Sequence, residues 1–367
     1  MDYFDFLRQV VLINSYTKNK AGVDKVGAVF DEEFHRLGFN IDIFARELLG
    51  NHHYYTSPYN PQKKRLLLLG HLDTVFPPGK FEEYKEDEKW VYGPGVCDMK
   101  GGNVVALWAL KKIYEEKLPF ENVDMLLVSD EETGSDDSKL LTAELAKKYD
   151  YCFVYEAAGK NMEIVTARKG VGTFFSDIEG KAAHAGNHYS EGIDANLEAA
   201  CKLQELVKLT DIEKGTTVNV GKIEGGIGAN TISPHAHMTF EIRYKTAQER
   251  DRVLNSIEKI VHTSYIKGSK ASLHGGIQRD VMQSSEQTMQ WVAKLETIGG
   301  QKLPMEERGG VSDANIVASQ GVMTLDGFGP YGDGDHTVHE RALKSSFENR
   351  IELSSKLIGH FIKEGDF

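Results

Sequence analysis

A histidine and an aspartate follow one apolar run closely enough to act together. His71 and Asp73 come directly after residues 66–69, which are all leucine. A short apolar run with Lys and Arg before it and glycine after it predicts a strand buried on both faces. Open α/β sheets bind ligands at the carboxyl ends of such strands, and side chains two residues apart point to the same side. The pair therefore suits a metal-binding imidazole held by a carboxylate, although a buried histidine with an ordinary local partner has the same pattern.

Acidic residues follow two further apolar runs. Glu131 and Glu132 come after residues 125–128, and Glu156 comes after residues 151–155. Adjacent acids at a buried sheet edge are electrostatically unfavourable unless a cation compensates them. We therefore expect a metal site at this edge, in which one of the two adjacent glutamates binds metal and the other remains free to carry a proton. The residue pattern alone does not say which glutamate has which role.

Two glycine-rich segments carry further candidates. Asp98 lies just before a predicted helix at 103–114, where it could cap the helix or be presented to a ligand by the glycines around it. Near the carboxyl end, the loop 329–340 carries His336 and His339, and either imidazole could supply a further metal ligand.

Five motifs together carry a resemblance to a known family. The segments GHLDTVF, GPGVCDMKGG, DEETGS and HTVHE, with Glu156 after its strand, occur in order along the chain. The set resembles the zinc peptidase and deacylase family of glutamate carboxypeptidase, acetylornithine deacetylase and succinyl-diaminopimelate desuccinylase. His336 matches the family's ligand better than His339, because relatives carry a glutamate four residues later, here Glu340. Relatives also commonly have a cis peptide bond after the bridging aspartate, here Asp98–Met99.

The resemblance implies a site for two Zn²⁺ ions, although Co²⁺ or Mn²⁺ would also suit nitrogen and oxygen ligands. Two such ions activate a water molecule and polarise the scissile carbonyl, while a free carboxylate moves the protons. By this resemblance, His71 and Glu156 hold one zinc, Glu132 and His336 hold the second, and Asp98 bridges the two. Asp73 orients His71, and Glu131 is the general acid/base.

The chain is long enough for two domains, and its middle has a pattern of its own. Residues 169–274 predict the order β-α-β-β-α-β of a ferredoxin-like unit. The resemblance implies that this unit is a lid and dimerisation domain. It would be inserted between the two parts of the catalytic domain, 1–168 and 275–367. The predicted fold class is therefore α/β, with a zinc-peptidase-like three-layer catalytic domain and an α+β lid.

Three lid residues match substrate-contact motifs of the family. His184 lies in a glycine-flanked segment and, by resemblance, stabilises the developing oxyanion in the neighbouring subunit; a loop histidine with local partners is the alternative. Asn230 ends the motif GGIGAN. Arg243 matches a family arginine but could instead pair with a lid carboxylate.

One departure from the family concerns recognition of a substrate carboxylate. Carboxypeptidase-like relatives have an arginine in a Gly-x-Pro motif after the last lid strand, and here Gly276 and Ile277 stand in place of the arginine and proline. Arg279 is the first candidate for a replacement and Arg243 the second, although Arg279 could equally be an ordinary surface residue.

Composition and charge limit the classes of partner. The formal net charge of -12 argues against nucleic acid or an anionic membrane as partner. Three widely spaced cysteines fit reduced thiols, and the acids among the first five residues do not fit a signal peptide. We therefore expect a cytoplasmic protein. His52 and His53 lie in a polar segment without an acidic neighbour, and we expect both at the surface.

The expected function is hydrolysis of an amide bond in a small peptide or N-acyl amino acid by a homodimeric enzyme. A glutamate at position 156, where dipeptidase and aminopeptidase relatives more often have aspartate, favours the carboxypeptidase and deacylase branch. An aminoacylase, a deacetylase or a di- or tripeptidase is the alternative within the family. A metal-free binding or regulatory protein with the same fold is the alternative outside the enzymes.

Overall fold

The computed structural model describes residues 2–367, which divide into two compact units. The helices are α1 (Tyr3–Val11), α2 (Lys20–Arg36), α3 (Lys100–Glu115), α4 (Ser138–Ala146), α5 (Ala195–Val207), α6 (Ala247–His262), α7 (Glu286–Gly299), α8 (Ala314–Ala318) and α9 (Lys344–Glu364). The strands are β1 (Asn40–Phe44), β2 (His52–Thr56), β3 (Leu66–His71), β4 (Lys85–Glu86), β5 (Trp90–Tyr92), β6 (Val123–Val128), β7 (Tyr151–Val154), β8 (Ile164–Arg168), β9 (Gly170–Glu179), β10 (Thr217–Gly225), β11 (His235–Tyr244), β12 (Lys270–Arg279), β13 (Met305–Arg308), β14 (Met323–Leu325), β15 (Gly332–Asp333) and β16 (Arg341–Leu343).

The first unit is built on a six-stranded sheet with the order β1-β2-β6-β3-β7-β14. It comprises the chain up to Ala167, Ser284–Arg308 and Ser312–Phe367. Strands β6, β3, β7 and β14 are parallel, and β2 and β1 extend the sheet in antiparallel pairing. Because β3 and its neighbours β6 and β7 are parallel, their carboxyl ends meet at one edge of the sheet.

The leucine run at the start of β3 is buried on both faces, as the sequence predicts. Leu66 and Leu68 pack into a core with residues of α1, α2, α3, α7 and α9. Leu67 and Leu69 point the other way, toward the face where α8 contacts β7 and β14. The mixed α/β class is therefore confirmed for this unit.

A second, smaller sheet in the same unit has the order β15-β16-β5-β4. Its strands β15 and β16 form a hairpin through the antiparallel pairs Gly332 with Ala342 and Asp333 with Arg341. The tip of this hairpin contains both His336 and His339.

The second unit comprises Arg168–Gln283 with Gly309–Val311. Its elements follow the order β9-α5-β10-β11-α6-β12, and they form an antiparallel sheet with the order β10-β11-β9-β12. Apolar residues of the strands, such as Phe174 and Phe240, share one core with residues of α5 and α6. Strand β12 runs on to Arg279 because its residues continue to pair with β9. The boundary predicted at 274 would cut this strand, and the compact unit extends to Gln283 instead.

The expectation that His52 and His53 lie at the surface is wrong. Both belong to β2 and are almost completely buried. Their acidic partners come from elsewhere in the chain: His52 Nε2 lies 2.9 Å from Asp137 Oδ1, and His53 Nδ1 lies 2.8 Å from Asp31 Oδ1. Buried polar side chains are tolerated where they find such partners.

In residues 2–367 no helix is long and apolar enough to cross a membrane.

Candidate metal centre

His71 ends β3, and its two ring nitrogens face different partners. Nδ1 lies 3.1 Å from the backbone oxygen of Asp73 and 3.3 Å from its Oδ1. Nε2 lies 3.1 Å from Asp98 Oδ1 and 3.8 Å from Glu156 Oε1. Thr17 holds Asp73 in turn, through a hydrogen bond of 2.6 Å from its hydroxyl to Oδ2. Asp73 therefore fixes the ring through Nδ1 and leaves Nε2 directed at the other carboxylates.

Asp98 lies in the turn before α3, and the buried side chain of Glu340 holds that turn in place. Oε1 of Glu340 accepts the backbone N–H groups of Cys97 and Asp98 at 3.0 and 3.1 Å, and its Oε2 accepts that of Gly95 at 2.9 Å. The peptide bond between Asp98 and Met99 is cis. The Asp98 side chain makes no capping hydrogen bond to α3. Its carboxylate instead faces two imidazoles.

The two adjacent glutamates follow β6 in a short 3₁₀ turn, Glu131–Thr133. Successive residues in such a turn point about 120° apart, so the two carboxylates take different directions. Oε2 of Glu132 lies 3.0 Å from His336 Nε2, and the Glu132 side chain is almost completely buried. Of the two adjacent glutamates, Glu132 is therefore the one in contact with His336.

His336 approaches the cluster from the tip of the β15–β16 hairpin. Its Nε2 lies 3.3 Å from Asp98 Oδ2, the oxygen that does not face His71. The backbone at His336 has φ +62°, a left-handed conformation that is uncommon for non-glycine residues. Asp98 therefore lies between two histidines, with one carboxylate oxygen toward each.

The structure brings all five predicted ligands into one connected cluster. Contacts run from Glu156 to His71, from His71 to Asp98, from Asp98 to His336 and from His336 to Glu132. The ligand atoms of His71, Asp98 and Glu132 lie within 4.8 Å of one another. A candidate metal site is therefore present at the carboxyl edge of the parallel strands.

Burial and the neighbouring charged groups strongly shift the pKa values of the residues in the cluster. Burial, together with the charge of Asp98, raises the pKa of Glu132 to about 8 and raises that of Glu156 well above its usual value. Burial favours the neutral ring of His71, but hydrogen bonds with Asp73 and Asp98 outweigh it and raise the pKa of His71. Hydrogen bonds with Asp98 and Glu132 raise the pKa of His336 to about 11. Without a cation, the cluster thus retains protons on groups that would otherwise have lost them.

The donor set fits divalent metal ions of the zinc type. Imidazole nitrogen and carboxylate oxygen are the ligands that zinc sites of catalytic type use. Within residues 2–367, the ion pairs of Asp98, Glu132 and Glu156 are all with histidines, so neither lysine nor arginine neutralises these carboxylates. Bound cations would supply the missing positive charge and displace the retained protons.

His184 and Asn230 come together within the second unit. The backbone N–H of Ala185 donates to the carbonyl oxygen of Asn230 at 2.9 Å. Nδ1 of His184 accepts the backbone N–H groups of Gly186 and Asn187, both at 3.2 Å. Because Nδ1 is an acceptor, the proton of the neutral ring is on Nε2, which is left as a donor. The roles of both residues toward a substrate stay predictions.

The two arginine candidates for a carboxylate clamp lie in different settings. Arg243 donates to both oxygens of Glu241, at 2.7 and 3.3 Å, and to the carbonyl oxygen of Gly309 at 2.9 Å. Arg279 is 5% exposed, so it is not the ordinary surface residue that the sequence allowed. The role of either arginine toward a substrate carboxylate stays a prediction.

Two residues of the centre have roles that the sequence patterns did not reveal. Thr17 precedes α2 in an unremarkable polar segment, yet its hydroxyl binds Asp73. In the sequence, Glu340 only distinguishes His336 from His339 as the ligand. In the structure, its carboxylate accepts backbone N–H groups of the turn that contains Asp98. The only signal for Glu340 in the sequence is an acidic residue that follows a glycine-rich loop. Nothing in the sequence points to Thr17.

The chain matches a family model and a curated enzyme over most of its length. The model described as Peptidase family M20/M25/M40 matches residues 67–360. Carboxypeptidase G2 of Pseudomonas sp. (strain RS-16) is 26% identical over 362 residues, which cover 96% of this chain and 87% of that enzyme.

Solved structures show the same fold. Aminopeptidase PepT from Bacillus cereus has a TM-score of 0.81 at 21% identity, covering 99% of this chain and 98% of the other. The YXEP protein of Bacillus subtilis, described as a dinuclear metal binding peptidase, has a TM-score of 0.70 at 12% identity, with 98% of each chain covered.

Proposed function

The chain belongs to peptidase family M20/M25/M40, and from this premise we propose that it is a di-zinc hydrolase of amide bonds in small peptides or N-acyl amino acids. The observation that carries the proposal is the position of Asp98 between two histidines, with Oδ1 toward His71 and Oδ2 toward His336. A carboxylate placed in this way suits a bridge between two ions. The dinuclear site named for the YXEP protein supports the same ion count.

The proposed ligand pairs follow from the contacts. His71 and Glu156 would hold one ion, Glu132 and His336 would hold the other, and Asp98 would contact both. Divalent ions, when bound, lower the pKa of a water molecule and polarise the scissile carbonyl. Asp73 orients His71 and raises the basicity of its Nε2, which strengthens the ligand.

Glu131 is the proposed proton carrier. It is next to the proposed metal ligand Glu132 in the 3₁₀ turn Glu131–Thr133. Its charge contributes to the raised pKa of Glu156, so it lies close to the centre. A carboxylate in this position can take a proton from the attacking water and deliver it to the leaving amine.

His184 is the proposed donor to the oxyanion that forms when water attacks the carbonyl. Its Nε2–H is free to donate because Nδ1 already accepts two backbone N–H groups. We propose that it acts across a homodimer formed through the second unit. A mixture of His184→Ala and Glu131→Gln proteins should then regain activity as subunits exchange, because one site of each mixed dimer has both groups intact. Failure to regain activity after proven exchange would place His184 in its own subunit's site or outside catalysis.

The substrate class is proposed to be carboxypeptidase-like. Glu156 after its strand and the match to carboxypeptidase G2 over 96% of this chain support this choice. The TM-score of 0.81 to aminopeptidase PepT keeps a peptidase that acts from the amino end as the second candidate.

A substrate panel tests the proposal. Zinc-loaded protein should hydrolyse N-acyl amino acids faster than unblocked tripeptides, and both activities should disappear in Glu131→Gln. The opposite preference would favour the aminopeptidase-like alternative. Absence of any amide hydrolysis in protein that holds its zinc would contradict the enzyme proposal and favour a binding or regulatory role.

A further inference from the structure

A cavity of about 700 Å³ lies in the first unit beside the hairpin that carries His336. Its lining includes Lys80 and Phe81, in the segment that follows His71 and Asp73. Tyr92, His339 and Arg341 line it as well. Part of the lining thus belongs to the hairpin that carries His336. The volume is in the range of ordinary small-molecule sites.

The charged residues around this cavity leave one cation uncompensated. Arg341 is paired with Asp333 at 2.8 and 3.2 Å, and Lys85 is paired with Glu83 at 2.6 Å. Among residues 2–367, the Lys80 ammonium has no ion-pair partner and the His339 ring has no hydrogen-bond partner. Both side chains are exposed. The unpaired ammonium and the imidazole N–H are two donors that could bind an anion. Such a pair is unusual on a chain with a net charge of -12.

The remainder of the lining is apolar and aromatic. Phe81 is buried against Phe76, with ring centroids 5.0 Å apart, and Val338 is 55% exposed at the hairpin tip. The hydroxyl of Tyr92 already donates to Asp87 at 2.8 Å. A ligand with a short hydrocarbon stem and a terminal negative group matches this combination.

The two arginines that the sequence offered for such a group both lie in the second unit, and both are engaged or buried. The guanidinium of Arg243 is occupied by Glu241 and the carbonyl of Gly309, and Arg279 is 5% exposed. Gly276 stands where carboxypeptidase-like relatives have their arginine. A cation elsewhere in the chain can therefore serve as the partner of a substrate carboxylate.

We propose that this cavity is a subsite for a carboxylate of the substrate, with Lys80 as its cation and His339 as a second donor. This inference rests on the proposed function, because it names the substrate end that the hydrolase would recognise. A carboxylate at Lys80 would form a charge-assisted hydrogen bond. The apolar stem of the same substrate part would lie along Phe81 and Val338.

The first test compares matched substrates and matched variants. The acyl amino acid that is hydrolysed fastest and its carboxamide are each assayed with Lys80→Met and with Lys25→Met, an exposed lysine on α2 as control. Lys80→Met should raise KM for the acid about 10-fold, leave its kcat nearly unchanged and spare the amide. Lys80→Arg should restore most of the affinity, and Lys25→Met should behave as wild type. Equal effects on acid and amide, or no effect of Lys80→Met on either, would overturn the subsite.

The second test is independent of hydrolysis. Glutarate binding to the metal-free protein is measured by calorimetry, with inorganic phosphate as a comparison. Glutarate should bind about 10-fold more weakly to Lys80→Met than to Lys25→Met. If glutarate binds equally to both variants, or if phosphate binds more tightly than glutarate in a Lys80-dependent manner, the carboxylate assignment is wrong. Failure of hydrolysis with retained Lys80-dependent glutarate binding would reject the proposed function and leave the subsite standing.

Discussion

Glu340 and Asp98 are far apart in sequence, yet Oε1 of Glu340 accepts the backbone N–H of Asp98 at 3.1 Å. This contact joins the turn that presents Asp98 to the hairpin that presents His336. We therefore expect the Glu340 side chain, which is not a proposed ligand, to help set the spacing between Asp98 and His336.

Replacement of Glu340 should weaken metal binding without removal of a ligand. In Glu340→Gln one carboxylate oxygen becomes an amide NH₂, which cannot accept from the backbone, so a buried N–H loses its partner. We expect about 10- to 100-fold lower zinc affinity, measured by competition with a chelator. The exposed Glu348→Gln on α9 is the control and should retain full affinity. Unchanged affinity in Glu340→Gln would show that the turn is held by other contacts.

Glu131→Gln and Glu132→Gln should separate catalysis from metal binding. Glu131→Gln removes a proton carrier, so it should keep its zinc and lose about 10²- to 10⁴-fold in kcat. Glu132→Gln removes a proposed ligand beside His336, so it should lose one of two zinc ions. Zinc content, measured by mass spectrometry, and kcat, measured on the same preparations, distinguish the loss of a proton carrier from the loss of a metal ligand. The same loss of zinc in both variants would contradict the division of roles.

Metal binding should release protons and strengthen as pH rises. In the metal-free chain the pKa of His336 is raised to about 11 and that of Glu132 to about 8, so both groups hold protons at neutral pH. A ligand must give up its proton, so protons compete with metal, and this competition weakens as pH increases toward 8. Zinc titrations by calorimetry in buffers of different ionisation enthalpy measure the released protons. A binding heat independent of buffer would contradict the raised pKa values.

Local sequence patterns predicted the elements that position the centre. The leucine run in β3 is apolar on both sides, and this composition alone indicates a strand between two layers. The glycine and acid motifs that follow β3 and β6 marked the same edge of the sheet. Where each residue's environment is set by its neighbours in the chain, the prediction was correct.

The failures concern residues whose partners are distant in sequence. His52 and His53 look like surface residues because Asp137 and Asp31, which make their burial tolerable, are far along the chain. The predicted boundary at 274 falls inside β12, since the continuation of this strand through Gly275 and Gly276 depends on pairing with β9 and not on side-chain pattern. Thr17 was missed for the same reason, because its role exists only through Asp73.

Diffraction from crystals grown with zinc, collected at the zinc absorption edge, would locate the metal ions directly. We expect two anomalous peaks about 3.5–4 Å apart, one beside His71 and Glu156 and one beside Glu132 and His336, with the Asp98 carboxylate between them. Zinc-to-ligand distances near 2.0–2.2 Å should accompany them. A single peak, or two peaks that Asp98 does not join, would contradict the proposed two-metal hydrolase.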